Sequence, residues 1–220
     1  MAKYKSSIEI QGAIGDLVYY QLNGVNVVRR KSGFNKTSYE EKESYAKVRQ
    51  NSSEFGHCSK SGKMLRDSLK DYMPLAEDKY LYQKFAKVMT LIKDLDTSAS
   101  KGDRRVHRGL QTELGKKKLQ EFEFGQMPRP KEAIKISKDL FATSLLLPSS
   151  SKYDSVQLVE ITANFETYQS KVKVYTFELK DKASRQDLEP FAGSALEAEQ
   201  TLYFAALKKN QEVKAMGFVF

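Results

Sequence analysis

The sequence predicts an α+β protein with an amino-terminal β-hairpin, a helical pair and a carboxyl-terminal antiparallel, β-sandwich-like domain. Three observations carry this prediction. Two β-prone runs, residues 16–22 and 25–30, are separated by Asn23-Gly24, the pair preferred in a type I′ turn. Apolar or small residues then recur at intervals of three and four as far as Leu95. Beyond residue 158, apolar and polar residues alternate in several short runs, the pattern of half-buried strands. The boundaries that follow are 1–36 for the hairpin segment, 37–101 for the helical segment and 102–220 for the β-rich domain, with which the hairpin is able to pack.

Each element has its own signal. Both turn residues of a type I′ hairpin need positive φ, which Asn tolerates and Gly adopts freely, so Asn23-Gly24 fixes the directions of Tyr19, Val27 and Arg29. Gly12 and Gly15 point to a second tight turn, joining the hairpin to an earlier strand within residues 3–10. Thr37-Ser38-Tyr39-Glu40 matches a capping box and predicts a helix start. From Tyr45, the positions Val48, Ser52, Phe55, Cys58 or Ser59, Gly62, Leu65, Leu69 and Tyr72 form one helical stripe. Gly56 and Gly62 within it predict either an interruption or a close neighbour. Pro74 ends that element, and Leu81, Phe85, Val88, Ile92 and Leu95 define a second helix antiparallel to it. Residues 96–102 are small and polar and read as a loop. A helix over 104–118 and a short strand at 122–124 come next. The remaining strands are built on Val159 to Phe165, on Tyr175 to Leu179, on Leu202 to Ala206, and on residues 213–220.

Composition bounds the chemistry. A chain of 220 residues with 40% hydrophobic content can bury a core of one large or two small domains, so disorder is not expected. Cys58 is the only cysteine, which rules out an intramolecular disulfide and a cysteine-rich metal site. The first residues alternate instead of forming an apolar run, and the longest apolar stretches are far too short to cross a bilayer. No signal peptide, no membrane span and a cytoplasmic location are the expectations. The formal charge of +9 is uneven: residues 1–131 hold 26 Lys and Arg against 16 Asp and Glu. The basic excess therefore belongs to the amino-terminal part, where it would steer an anionic partner or simply solvate helices.

Candidate chemistry is sparse. His57 and Cys58 are adjacent and would project about 100° apart on a helix, so they do not form an activated nucleophile with each other. Cys58 reads as a small buried residue and His107, among Arg104, Arg105 and Arg108, as solvated helix surface. Glu40-Glu41 and Glu77-Asp78 lie near helix starts, where they complement the helix dipole. Gly12-x-x-Gly15 leads into a hairpin, not a helix, so it is no phosphate loop. No cofactor and no metal are expected. Lys116-Lys117-Lys118 with Arg104, Arg105 and Arg108 are the candidates for binding a polyanion, and Tyr19 and Tyr20 are available for stacking on bases, but no nucleic-acid-binding module accompanies them.

The pattern Gly12-x-x-Gly15-x-x-x-Tyr19-Tyr20-x-x-Asn23-Gly24-x-x-x-x-Arg29-x-Lys31 resembles the amino-terminal signature of uncharacterised bacterial proteins of similar length. The resemblance implies a helical segment and a β-rich end after the hairpin. It covers residues 8–33, and Ser38-Tyr39-Glu40-Glu41 departs from the proline-containing Thr-x-x-Gln stretch usual afterwards. It implies no activity and no role for any residue. The leading expectation is a non-enzymatic interaction or structural component, within a larger assembly such as a phage-like or secretion particle, that binds a protein partner or another copy of itself through Tyr19, Tyr20, Arg29 and Arg30. A nucleic-acid or polyanion binder and an unrecognised enzyme are the alternatives.

Overall fold

The structure is a computed structural model that describes residues 2–6, 8–22, 24–31, 36–130, 134–138, 143–147, 149, 152–179, 183–188 and 198–220. The fold is α+β, with a strand hairpin, a helical segment and antiparallel sheets following one another along the chain. It divides into two compact units, residues 1–47 and 48–220.

The first unit is a four-stranded antiparallel sheet: β1 (Ala2–Lys3), β2 (Gly12–Ile14), β3 (Leu17–Leu22) and β4 (Val25–Arg30), in the order β1-β4-β3-β2. Leu22 pairs with Val25, which leaves a two-residue turn; Gly24 has φ +77°, and Asn23 lies outside the described residues. Gly15, at φ +55°, makes the second tight turn between Ile14 and Leu17. Of the earlier strand expected within residues 3–10, the described residues keep only Lys3, in β1 on β4; the strand that the Gly15 turn joins to β3 is β2, beyond that range. A six-residue helix, α1 (Lys36–Glu41), follows. It begins one residue before Thr37, so Thr37 lies in its first turn instead of capping it.

In the second unit, α2 (Ala46–Ser68) runs through Gly56 without interruption. A Cβ at Gly62 would stand 3.3 Å from Met89 and 3.5 Å from Phe85, the close neighbour anticipated for that position. The stripe, however, is rotated from the one the apolar residues predict. Val48 and Phe55 are 45% and 64% exposed, whereas Glu54, His57 and Ser61 are buried beside Cys58, Leu65 and Leu69. A 3₁₀ turn at Met73–Ala76 carries Pro74 in its first turn and leads to α3 (Leu81–Lys93), which buries Leu81, Phe85, Met89 and Ile92. The helix expected over 104–118 is two helices, α4 (Val106–Gln111) and α5 (Glu113–Gln120). They break at Thr112, whose extended backbone lets its hydroxyl accept the Gly115 N–H as an N-cap. Phe124 and Met127 form only an isolated bridge in place of the strand expected at 122–124.

Two antiparallel sheets complete the unit. β7 (Ser155–Asn164), β8 (Gln169–Glu178), β10 (Glu199–Lys209) and β11 (Glu212–Val219) form one, in the order β11-β10-β7-β8. β5 (Lys135–Lys138), β6 (Thr143–Leu147) and β9 (Ser184–Leu188) form the other. Leu202 to Leu207 are buried without a break. Alternate residues of this run serve two cores: Leu202, Phe204 and Ala206 pack with the helices, and Tyr203, Ala205 and Leu207 with Leu145, Leu147 and Leu188 of the smaller sheet. A strand covered on both faces reads as a continuous apolar run, which is why a plain two-sheet sandwich understates the architecture: helices, large sheet and small sheet form three layers. Phe85, Phe122, Phe124, Phe204 and Phe218 meet in the helix-side core with ring centroids 4.9–6.3 Å apart. Each contributes roughly 1.5–3 kcal/mol by burial.

Candidate functional site

The four residues expected to make contacts lie on the first unit's sheet. Residues opposite one another in antiparallel strands share a face, and Tyr19 lies opposite Val28 while Tyr20 lies opposite Val27. Alternation therefore puts Tyr19 and Arg30 on one face with Ile14 and Leu17, and Tyr20 and Arg29 on the other with Lys3, Leu22 and Val25. Both tyrosines are half-buried and both arginines exposed. Tyr19 meets the edge of Tyr4 at 5.5 Å, and the Arg29 guanidinium stands 6.0 Å from the Tyr20 ring. Among the described residues of this unit, Val27 is the one buried apolar side chain. Ile8, Ile14, Leu17, Leu22 and Val25 are 69%, 58%, 36%, 49% and 39% exposed. Every charged residue on the four strands is cationic: Lys3, Arg29 and Arg30.

The polyanion candidates are largely committed to carboxylates of their own chain. Arg104 grips buried Glu54 with two bonds of 2.8 Å and reaches Asp94 at 3.0 Å. Arg108 stands 3.9 Å from Asp96, Lys116 donates to Glu113 at 2.7 Å, and Lys117 lies 4.0 Å from Glu121. Lys118 is exposed. Arg105 is half-buried, with its backbone N–H donated to Asp96 at 2.9 Å and its guanidinium on the carbonyls of Arg104 and Gly102 at 3.2 and 3.4 Å.

The polar centre of the second unit went unread in the sequence. Glu54, 3% exposed, accepts from Lys93 at 2.6 Å and from the Gly102 backbone at 2.8 Å besides Arg104. These bonds, Arg104 foremost, hold its carboxyl well below the usual carboxylate range, against the opposing effect of burial. The clamp ties the 96–104 loop to α2 and α3. One turn on, His57 accepts the Val106 backbone N–H through Nε2 at 3.0 Å and meets the Tyr168 hydroxyl through Nδ1 at 3.0 Å. Burial, then the charges of Arg105, His107 and Lys60, push His57 down to about 4, so it is neutral at pH 7. His107, expected at the solvated surface, is buried at 4% exposure, edge-on to His57 and 6.0 Å from Phe165. Its arginine neighbours are polar in sequence, but Arg104 and Arg105 precede α4 and Arg108 leaves the helix at a different angle from His107. Cys58 is buried as expected, and burial pushes its thiol up to about 11, which removes the thiolate a nucleophile needs. The signal for this centre was the spacing Glu54, His57, Ser61, a polar stripe at helical intervals that is inward-facing.

Among the described residues, no group of three or more His, Cys, Asp or Glu side chains is placed to hold a metal ion, and no helix is long and apolar enough to cross a membrane. Set against protein-family models, curated proteins and solved structures, the chain matches none of them.

Proposed function

We propose that this chain is a non-catalytic interaction component whose amino-terminal sheet docks on a partner protein. The observation that supports the reading is the sheet itself, which carries apolar side chains on both faces with one of them buried. A small sheet without a covered apolar face lacks the burial that stabilises an independent sheet, and exposed apolar groups of this kind mark interaction surfaces. The two edge strands, β1 and β2, are two and three residues long, so docking by a face is favoured over strand addition. Because the strands carry only cations, a second copy placed face to face would oppose like charges. The partner that fits is a different protein surface, apolar at its centre and rimmed with carboxylates.

Nucleic acid fits this surface less well, since aliphatic side chains give phosphates nothing, and four of the six basic candidates beyond the sheet, Arg104, Arg108, Lys116 and Lys117, are ion-paired. The test compares wild-type protein with Leu22→Lys/Val25→Lys, each purified from its native cells after nuclease treatment. The expected result is a complex of fixed stoichiometry for the wild type, weakened by salt and lost in the variant, with the recombinant chain alone a monomer by light scattering. A self-associating chain, a complex indifferent to the double substitution, or a nuclease-sensitive one overturns the proposal.

A further inference from the structure

A cavity of about 440 Å³ opens in the second unit, beside the turn between β7 and β8. His57, Asp103, Arg105, His107, Arg108, Phe165, Glu166 and Tyr168 line it. Its volume is within the range of about 300–1,000 Å³ typical of small-molecule sites. The turn that supplies Tyr168 is held by the Asn164 side chain, whose Oδ1 accepts the N–H groups of Glu166 and Thr167 at 3.0 and 2.9 Å. Tyr168 itself has φ +56°, an unfavourable conformation for a bulky residue. Strain of this kind persists where surrounding contacts over-determine it, and it concentrates at ligand sites. Here the contacts are His57 on the hydroxyl and the Lys60 ammonium, 5.2 Å from the ring centroid.

The direction of the His57–Tyr168 bond follows from elementary chemistry. A backbone N–H can only donate, so the bond from Val106 requires Nε2 of His57 to carry no proton. The neutral ring must then carry its hydrogen on Nδ1, which donates to the Tyr168 oxygen. The hydroxyl hydrogen of Tyr168 is not used in that bond and is left to donate elsewhere. Arg105 adds guanidinium N–H groups, which meet no carboxylate within 4 Å among the described residues. Opposing charges temper the site: Asp103 and Glu166 balance Arg105 and Arg108, and Arg108 already leans on Asp96 at 3.9 Å. A highly charged anion would gain little there. A singly charged acceptor with an organic body, able to lie against Phe165 and the His107 ring, suits both the donors and the wall.

We propose that this cavity binds a small organic carboxylate, accepted by the Tyr168 hydroxyl and the Arg105 guanidinium. His57 orients Tyr168 and does not touch the ligand. His57 stays neutral above about pH 5, with Lys60, Arg105 and His107 the charged or titratable groups around its ring, so its hold on Tyr168 is unchanged from pH 6 to 8.

The test is a titration of the isotope-labelled full chain with benzoate, read by the imidazole nitrogen resonances of His57. In the free protein the expected spectrum is that of the neutral Nδ1–H tautomer. Benzoate should then shift the signals saturably, and Tyr168→Phe and Arg105→Gln should each weaken binding about tenfold, as loss of one hydrogen bond to a charged group does. Tyr168→Phe keeps the ring, and Arg105→Gln keeps the backbone bond to Asp96, so both variants should retain the wild-type melting temperature within a few degrees. An Nε2–H tautomer, a shift that never saturates, or equal affinity in wild type and both variants overturns the proposal.

Discussion

Replacing Glu54 by Gln strikes a buried carboxylate that joins three chain segments. In the native protein Glu54 accepts four hydrogen bonds, from Lys93, the Gly102 backbone and both arms of the Arg104 fork. Glutamine offers one acceptor oxygen where two were used and turns an N–H₂ donor toward other donors. Lys93, 4% exposed, is left with Asp94 as its carboxylate partner. Removing one member of a buried ion pair costs about 3–5 kcal/mol, most of it from the charge left behind. For a chain of this size that lowers the melting temperature by roughly 10 °C, at about 2–4 °C per kcal/mol.

The pH dependence carries a second signature. The folded-state pKa of Glu54 is depressed, so its contribution is fully present above the unfolded value of 4.5 and is lost as pH falls below it. The stability gap between wild type and Glu54→Gln should be constant from pH 8 to 6 and narrow steadily from about pH 5 downward. Urea unfolding followed by far-ultraviolet circular dichroism at pH 7, 5, 4 and 3 measures both quantities. A gap under about 1 kcal/mol at pH 7, or parallel curves down to pH 3, would refute the clamp. Glu212→Gln, which removes an exposed pair with Lys214, should leave the midpoint unchanged.

Other outcomes follow from the same geometry. A Cβ at Gly109 would stand 1.9 Å from the Ile92 carbonyl oxygen, so Gly109→Ala should destabilise by roughly 3 kcal/mol or more by forcing α4 off α3. Gly56 has nothing within 4 Å of its added Cβ, so Gly56→Ala in mid-helix should raise stability by about 0.5–1 kcal/mol; calorimetry reads both signs. Cys58 should resist iodoacetamide in the native protein at pH 8 and be alkylated at the rate of unfolding, which mass spectrometry follows; rapid native labelling would contradict its burial.

The parts legible in the sequence were those governed by neighbours along the chain. Asn23-Gly24 with its β-prone flanks specified a hairpin, and strand alternation implied two of Tyr19, Tyr20, Arg29 and Arg30 on each face; the register groups Tyr19 with Arg30 and Tyr20 with Arg29. The parts that stayed hidden depend on distant partners. Glu54 reads as an ordinary surface acid until Lys93 and Arg104, 39 and 50 positions away, are seen to meet it. His107 reads as polar surface because Phe165, at the β7–β8 turn, is brought against it only by folding. Val48 and Phe55 misled in the opposite sense, since an apolar side chain at the right spacing on α2 can still face solvent. The unbroken run from Leu202 to Leu207 carried its own message, a strand covered on both faces, which alternation alone underreads.

Docking through the amino-terminal sheet is tested by hydrogen exchange, comparing the free chain with the complex recovered from its native cells. The expected result is slower exchange in the complex across residues 17–30, with the amides around Glu54 unchanged. Unaltered exchange over 17–30, with protection appearing instead on α4 and α5, would contradict it and move the binding surface to the basic helices.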